Sequence, residues 1–498
     1  MTALSELLPA GGAGKVMDFV ASGTLPNGSP VVLKTDGTVE VVSGSSASES
    51  IPAGSEVVFN TADTHYTSVA FDPNNANKFV VVYHDGGNGS YGTAIVGTVS
   101  GTSISFGSEY VFNNTGNTSY TSIAFDPSTA NKFVVVYVDI SNSSYGTAIA
   151  GTISGTSISF GTEVVFNSAQ SIYSSVAFDP NTANKFVVAY QDAGNANYGA
   201  AIVGTVSGTT ISFGSEVVFN TGAIYYTSVA FDPNTAGKFV LAYTDSGNLK
   251  YGTSVVGTVS GTSISFGSEV VFNSGMTWDI VTSFDSNTAG KFVVAYRDGS
   301  SSHSGRVVVG TISGTSTSFG TEVVFNSGIS SYVSIAFDPN TAGKFIVAYE
   351  DGGNANYGTV IIGTVSGTSA SFGSEVVFNS GQSDYTSIAF DPNTAGKFAV
   401  AYRDSGNSSY GTAILGQLAV NTANLTATNF VGITTESISD TATGSITLQG
   451  GVSTNQSSLT VGSNYYVQPD GTLATTAGTP SVVAGQAISS TSLQLQGV

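Results

Sequence analysis

Cysteine is absent from this 498-residue chain. No disulfide staples the fold, and no thiolate is available as nucleophile or metal ligand. Charge is scarce as well. Only 9% of residues are charged, yet 33 Asp and Glu against 13 Lys and Arg leave a net charge of −20. Phosphate recognition needs clustered Lys and Arg, so nucleic acid is excluded as a partner. An anionic membrane surface is excluded for the same reason. Three His, at 65, 84 and 303, lie far apart in sequence, so a zinc site would need coincidence in space. No apolar run is long enough to span a bilayer. Met1-Thr2-Ala3-Leu4-Ser5-Glu6 lacks the basic start and apolar core of a secretory signal, which points to synthesis in the cytoplasm without membrane insertion. No cofactor motif stands out: Gly11-Gly12-Ala13-Gly14-Lys15 lacks the leading Gly and the following Ser or Thr of a phosphate loop. What is abundant is Gly, with 61 residues, and aromatic side chains, with 23 Tyr and 29 Phe. With 41% apolar residues, this composition suits a β-rich globular protein rather than a disordered one.

The dominant feature is a unit of about fifty-three residues that occurs seven times. Its marker is Phe71-Asp72-Pro73, which returns at Phe125, Phe178, Phe231, Phe337 and Phe390, with a degenerate copy at Phe284-Asp285-Ser286. In the first copy, residues 66–71 alternate as a strand, and Asp72-Pro73 opens a turn. Residues 78–83 form a nearly continuous apolar run, the pattern of a strand covered on both faces. After a turn at Asp85-Gly86-Gly87-Asn88-Gly89, residues 91–100 and 103–112 give two more strands. Four short antiparallel strands with no helical period make one blade of a β-propeller. The last copy ends without its fourth strand, and the matching piece, residues 51–59, precedes the first copy. The pattern predicts an all-β, seven-bladed propeller over residues 51–419, closed by that N-terminal strand, which leaves no open sheet edge.

Residues 1–50 and 420–498 do not repeat. Both read as short strands with Gly-rich turns, and Thr35-Asp36-Gly37-Thr38 is echoed by Pro469-Asp470-Gly471-Thr472. Closure of the array brings its two ends together, so the flanks are expected to form one small β-domain into which the propeller is inserted. Phe19-Val20-Ala21-Ser22-Gly23-Thr24-Leu25, Asn429-Phe430-Val431-Gly432-Ile433, Tyr465-Tyr466-Val467-Gln468-Pro469-Asp470-Gly471-Thr472-Leu473 and Ser481-Val482-Val483-Ala484-Gly485 resemble segments of virion structural and tail-fibre-like proteins of tailed phages, especially marine ones. The resemblance implies a virion component without catalytic residues, attached to other virion proteins through the terminal domain and often trimeric in fibres.

Two turns hold steady across the copies, the Asp-Pro-Asn-Thr-Ala-Gly-Lys type and the Ser-Gly-Thr type. Two others vary: the one ahead of each copy's first strand and the one between its second and third strands. In an up-and-down blade the varied pair falls at one end and the steady pair at the other. Binding residues sit on loops that a rigid scaffold carries, so the varied end is the candidate ligand face, with His65, His84, Tyr225, Trp278, Arg297, His303, Glu350 and Arg403 as candidate contacts. The regularly spaced Tyr66, Tyr120, Tyr173, Tyr332 and Tyr385 read as blade-packing core. A host-surface glycan or protein is the expected partner. Glu350, Asp384 and Asp63 offer carboxylates for a glycan-cleaving alternative, but spacing selects no pair. A structural decoration protein without ligand is the third reading. The Lys of each copy is expected to pair with the Asp of its Phe-Asp-Pro, and the Asp85-type turns to be Asx turns rather than calcium loops.

Overall fold

The computed structural model describes residues 15–43, 46–47, 50–421, 424–478 and 480–496. The signal reading and residues 11–14 of the phosphate-loop reading lie outside these, as does Thr479. The chain forms two compact units, one of Ser50–Leu418 and one of Met1–Glu49 with Ala419–Val498. Among the described residues there is no α-helix, and no helix is long and apolar enough to cross a membrane.

The larger unit is all-β and propeller-like, built from the repeated four-stranded meander. In the first copy the strands are residues 64–71 of Val57–Phe71, then Lys78–Asp85, Tyr91–Ser100 and Ser103–Asn113, each antiparallel to the next. The apolar run of the second strand is explained by its two neighbours. Phe79, Val81 and Tyr83 pack into one buried cluster, while Val80 and Val82 pack into the next. A strand sandwiched this way needs apolar residues at every position, and alternation disappears. Phe79 to Tyr83 are all fully buried, and each such side chain contributes about 1.5–3 kcal/mol.

One apolar cluster of this kind lies at each interface between successive copies. A further cluster joins Ala399, Ala401, Ala413 and Leu415 of the seventh copy to Phe71, Phe79 and Tyr83 of the first. The polar repeat residues serve the same interfaces. Asp72 caps its own turn through Asn74 N at 2.9 Å and accepts Asn131 N of the next copy at 2.9 Å. Asp179 and Asp285 repeat the second bond, and Asp391 of the seventh copy accepts Asn77 N of the first at 3.0 Å. The Lys residues depart from expectation. Lys78, Lys185, Lys238, Lys291 and Lys397 donate to the Gly carbonyl of the following copy's Ser-Gly-Thr turn at 2.5–3.0 Å, with Lys397 reaching Gly101. Asp72, Asp179, Asp285 and Asp391 accept backbone N–H groups on both carboxylate oxygens, which removes them as Lys partners. Six of the seven repeated Glu residues accept from buried Tyr hydroxyls, as Glu109 does from Tyr83 at 2.7 Å and Glu56 from Tyr402 at 2.8 Å, whereas Glu322 accepts from Arg306 at 3.0 Å.

The seventh copy contributes residues 383–390, Lys397–Asp404 and Tyr410–Gln417. Its fourth strand comes from ahead of the first copy: Val57, Val58 and Asn60 pair with Ala413, Thr412 and Gly411. Ser50 pairs with Gln417 and Ala53 N donates to Leu415 O, continuing the same ladder.

The smaller unit holds a five-stranded sheet that interleaves both flanks. Val16–Val20, Thr443–Leu448, Phe430–Thr434, Pro30–Leu33 and Val39–Val41 lie side by side in that order. A second sheet is drawn from residues 452–495 alone. The echoed turns are the same structure: Asp36 Oδ1 accepts Thr38 N at 3.0 Å, and Asp470 Oδ1 accepts Thr472 N at 2.9 Å.

Candidate functional site

Seven of the eight candidates are on strands rather than in loops, which corrects the sequence expectation, while His303 lies in the turn after its second strand. In every copy the residue before the first-strand bulge and the residue before the second-strand Asp are direct cross-strand partners. The seven pairs are His65/His84, Ser119/Val138, Ile172/Gln191, Tyr225/Thr244, Trp278/Arg297, Ser331/Glu350 and Asp384/Arg403. Positions nineteen apart in sequence thus become one two-residue patch per copy, at the strand end opposite the steady Asp-Pro turn. The ladder extends past the expected loop boundary because the Asp of each second strand caps the following turn. Asp85 Oδ1, for example, accepts Gly87 N at 3.0 Å and Asn60 Nδ2 at 3.1 Å. These are Asx turns.

Immediately after each patch, two residues of the first strand face one of the second, a bulge that re-aims its side chains. The bulged residue adopts a positive φ of 49–55° in all seven copies: Tyr66, Tyr120, Tyr173, Tyr226, Asp279, Tyr332 and Tyr385. Non-glycine residues seldom hold this conformation, and it clusters where side-chain placement matters. The following Thr helps to hold it. Thr67, Thr121, Thr227 and Thr386 donate their hydroxyls to the bulge carbonyls of Tyr385, Tyr66, Tyr173 and Tyr332 in the neighbouring copies.

These bulges correct the reading of the regular tyrosines as core. The core tyrosines are those of the second strands, such as Tyr83 and Tyr243, which are fully buried. The bulge tyrosines are half-buried and line a cavity of about 280 Å³ with a contribution from every copy. Their centroids stand 4.8–5.2 Å apart in the unbroken series Tyr226, Tyr173, Tyr120, Tyr66, Tyr385, Tyr332. Burial raises their phenols, that of Tyr173 to about 12. The belt is interrupted once, at Asp279.

Charge gathers at that interruption. Arg297 Nε lies 3.1 Å from Asp279 Oδ2, and its guanidinium sits 4.8 Å from the centre of the Trp278 ring. Trp278 stacks on His303 at 5.0 Å and 19°. Arg403 joins Asp384 at 2.7 Å and Asp63 at 3.0 Å, and Asp63 meets His65 at 2.9 Å. His65 packs edge-on to His84, 5.2 Å away, and His84 Nδ1 bonds Thr118 O at 2.7 Å. Burial lowers His84 and favours its neutral form. Glu350, 8% exposed, has an Oε2 without a donor. Burial, then its contact with Asp384, pushes its carboxyl up to about 8. Burial acts on Asp384 too, but hydrogen bonds from Glu350, Ser405, Gln382 and Arg403 outweigh it and hold that carboxyl below its ordinary value.

Two openings result. One, of about 550 Å³, is lined by Asp279, Arg297, Glu350, Asp384 and the belt. The other, of about 420 Å³, is lined by His65, His84, Val138, Ile140 and Ile172. Of the eight candidates, Arg297 and Glu350 reach the first, His65 and His84 the second, and Trp278, His303 and Arg403 brace them. Tyr225 stands apart, 6.0 Å from Tyr173. Asp279 is not among the sequence candidates, although comparison of the copies carries its signal: aligning Trp278 with Tyr225 puts Asp279 in the column where six copies carry Tyr.

No family model and no curated protein matches this chain. Among solved structures, Sqt1 from Chaetomium thermophilum is 12% identical with a TM-score of 0.45, matched over 72% of this chain and 85% of its own. The NanB sialidase from Streptococcus pneumoniae is 12% identical with a TM-score of 0.43, over 74% of this chain and 71% of its own. A protein of unknown function from Dyadobacter fermentans is 10% identical with a TM-score of 0.44, over 73% of this chain and 98% of its own.

Proposed function

We propose that the larger unit is a closed seven-bladed β-propeller, and that the protein is a non-enzymatic virion component of a tailed phage whose varied face binds a host-surface glycan or protein. Closure is supported by the contacts between the seventh and first copies, which repeat those between consecutive copies in ladder, apolar cluster and Asp bond. The binding role is carried by one observation: the seven cross-strand pairs differ in every copy while the steady turns and the buried strand positions repeat. Strand ends that only close a blade can stay uniform, whereas a surface meeting an asymmetric partner cannot. The virion setting rests on the resemblance of the flanks, and the smaller unit is the natural attachment element. Arrayed copies, trimeric in a fibre, would add avidity to a weak site.

A glycan-cleaving reading has the Glu350 and Asp384 pair in its favour, but Asp384 Oδ2 already accepts from Arg403 Nη1 at 2.7 Å and from Ser405 Oγ at 2.6 Å. A glycan array combined with a reducing-sugar assay separates the alternatives. Binding without sugar release is expected, and substitution of Trp278, Arg297 and Arg403 together should abolish it. Release of reducing ends, or binding that survives the triple substitution, counts against the proposal.

A further inference from the structure

The opening beside Asp279 has an unbalanced set of charges. Its lining contains three carboxyls, Asp279, Glu350 and Asp384, against one guanidinium, Arg297. Arg297 is committed to Asp279, and Arg403 from the adjoining strand is committed to Asp384 and Asp63. Among the described residues Glu350 forms no ion pair, and its buried Oε2 has no donor. Beside it the belt ends in Tyr332 and Tyr385, whose rings stand 4.8 Å apart. A buried carboxylate without a donor is costly unless a proton or a ligand satisfies it. Electron-rich ring faces next to it favour a cation. The net charge of −20 adds a long-range field of the same preference.

We infer that this opening seats the protonated primary amine of a ligand, held by Glu350, flanked by Asp279 and Asp384 and packed against Tyr332 and Tyr385. The inference rests on the varied face being a binding surface and gives that surface its ligand chemistry. An amino sugar and a lysine side chain both carry the group. In the empty site a proton stands in for the amine on Glu350, faced by Asp384 from the neighbouring copy, by Asp279 and Arg297 from the preceding one, and by the Tyr332 phenol on its own. Binding therefore expels that proton.

Calorimetry on the full chain tests this with D-glucosamine against N-acetyl-D-glucosamine, and Nα-acetyllysine amide against its Nε-acetylated form. The free amine of at least one pair should bind at least about tenfold tighter than its acetylated partner, and the pair that does so identifies the source. For the lysine amide, whose ammonium stays charged throughout, affinity should rise about tenfold per pH unit from 6 towards 8, with one proton released; for glucosamine, whose ammonium loses its own proton near neutrality, the rise should level off there. Glu350→Gln keeps a donor for Asp384 and should remove both the pH dependence and the proton release. Asp279→Tyr installs the residue that six copies already tolerate. It should weaken amine binding about tenfold by leaving Arg297 uncompensated. Equal binding of amine and acetylated forms, no amine binding, or pH-independent binding overturns the inference. Neutral glycans bound in a Trp278-dependent manner would then leave the binding-face reading standing, whereas a face that binds nothing removes both.

Discussion

At the scale of single residues, the same side-chain type plays opposite parts according to its position in the repeat. Tyr243, on a second strand, is fully buried and bonded to Glu269 at 2.6 Å. Tyr226, on a bulge, lines a cavity. Glu350 is a carboxyl whose environment strongly alters its chemistry. Its folded value of about 8 lies above the ordinary 4.5, so the folded chain holds a proton there that the unfolded chain has lost. This raised acid makes the folded state lose stability as pH climbs from about 4.5 to 8. Glu350→Gln should therefore melt at a higher temperature than the parent at pH 8. The gap should close towards pH 4, and thermal denaturation across that range checks it.

At the scale of elements, strand identity was legible and strand ends were not. The sandwiched second strand announced itself by its unbroken apolar run, and the Asp-Pro and Ser-Gly-Thr turns by their residues. The varied segments read as loops because they contain Gly, Ser and Asn. They are strands because cross-strand bonds continue to the capping Asp, and local propensity yields to pairing. The copy-to-copy bonds also differ in weight. Asp179 is 2% exposed and accepts Gly237 N at 2.9 Å, so Asp179→Ala strands a buried N–H and should cost about 1–3 kcal/mol. Lys238 makes an exposed bond to Gly314 O, and Lys238→Ala should cost less than about 1 kcal/mol. Urea denaturation of the two variants measures the contrast.

At the scale of the whole molecule, the segment ahead of the array bears on everything else. Val57 and Ala413 are paired residues more than 350 positions apart, and both belong to the cluster between the seventh and first copies. Because the chain has no cysteine, Val57→Cys with Ala413→Cys would create a single unambiguous cross-link. It should form on oxidation, change mobility on a non-reducing gel and raise the melting temperature, since it closes a very long loop in the unfolded chain. Failure to cross-link in the folded protein would remove the support for closure.

The sequence by itself determined the repeat, its four strands, the steady and varied ends, and the segment that completes the last copy. Each of these is written in local periodicity or in comparison of one copy with another. Tertiary structure alone decided which varied residues meet. Register turned separated positions into seven pairs, and the bulge swung the tyrosines from the expected core into a belt. Packing of one copy on the next brought Asp279, Arg297, Glu350 and Asp384 together. Those contacts depend on distances between residues up to about a hundred positions apart, which no local pattern encodes.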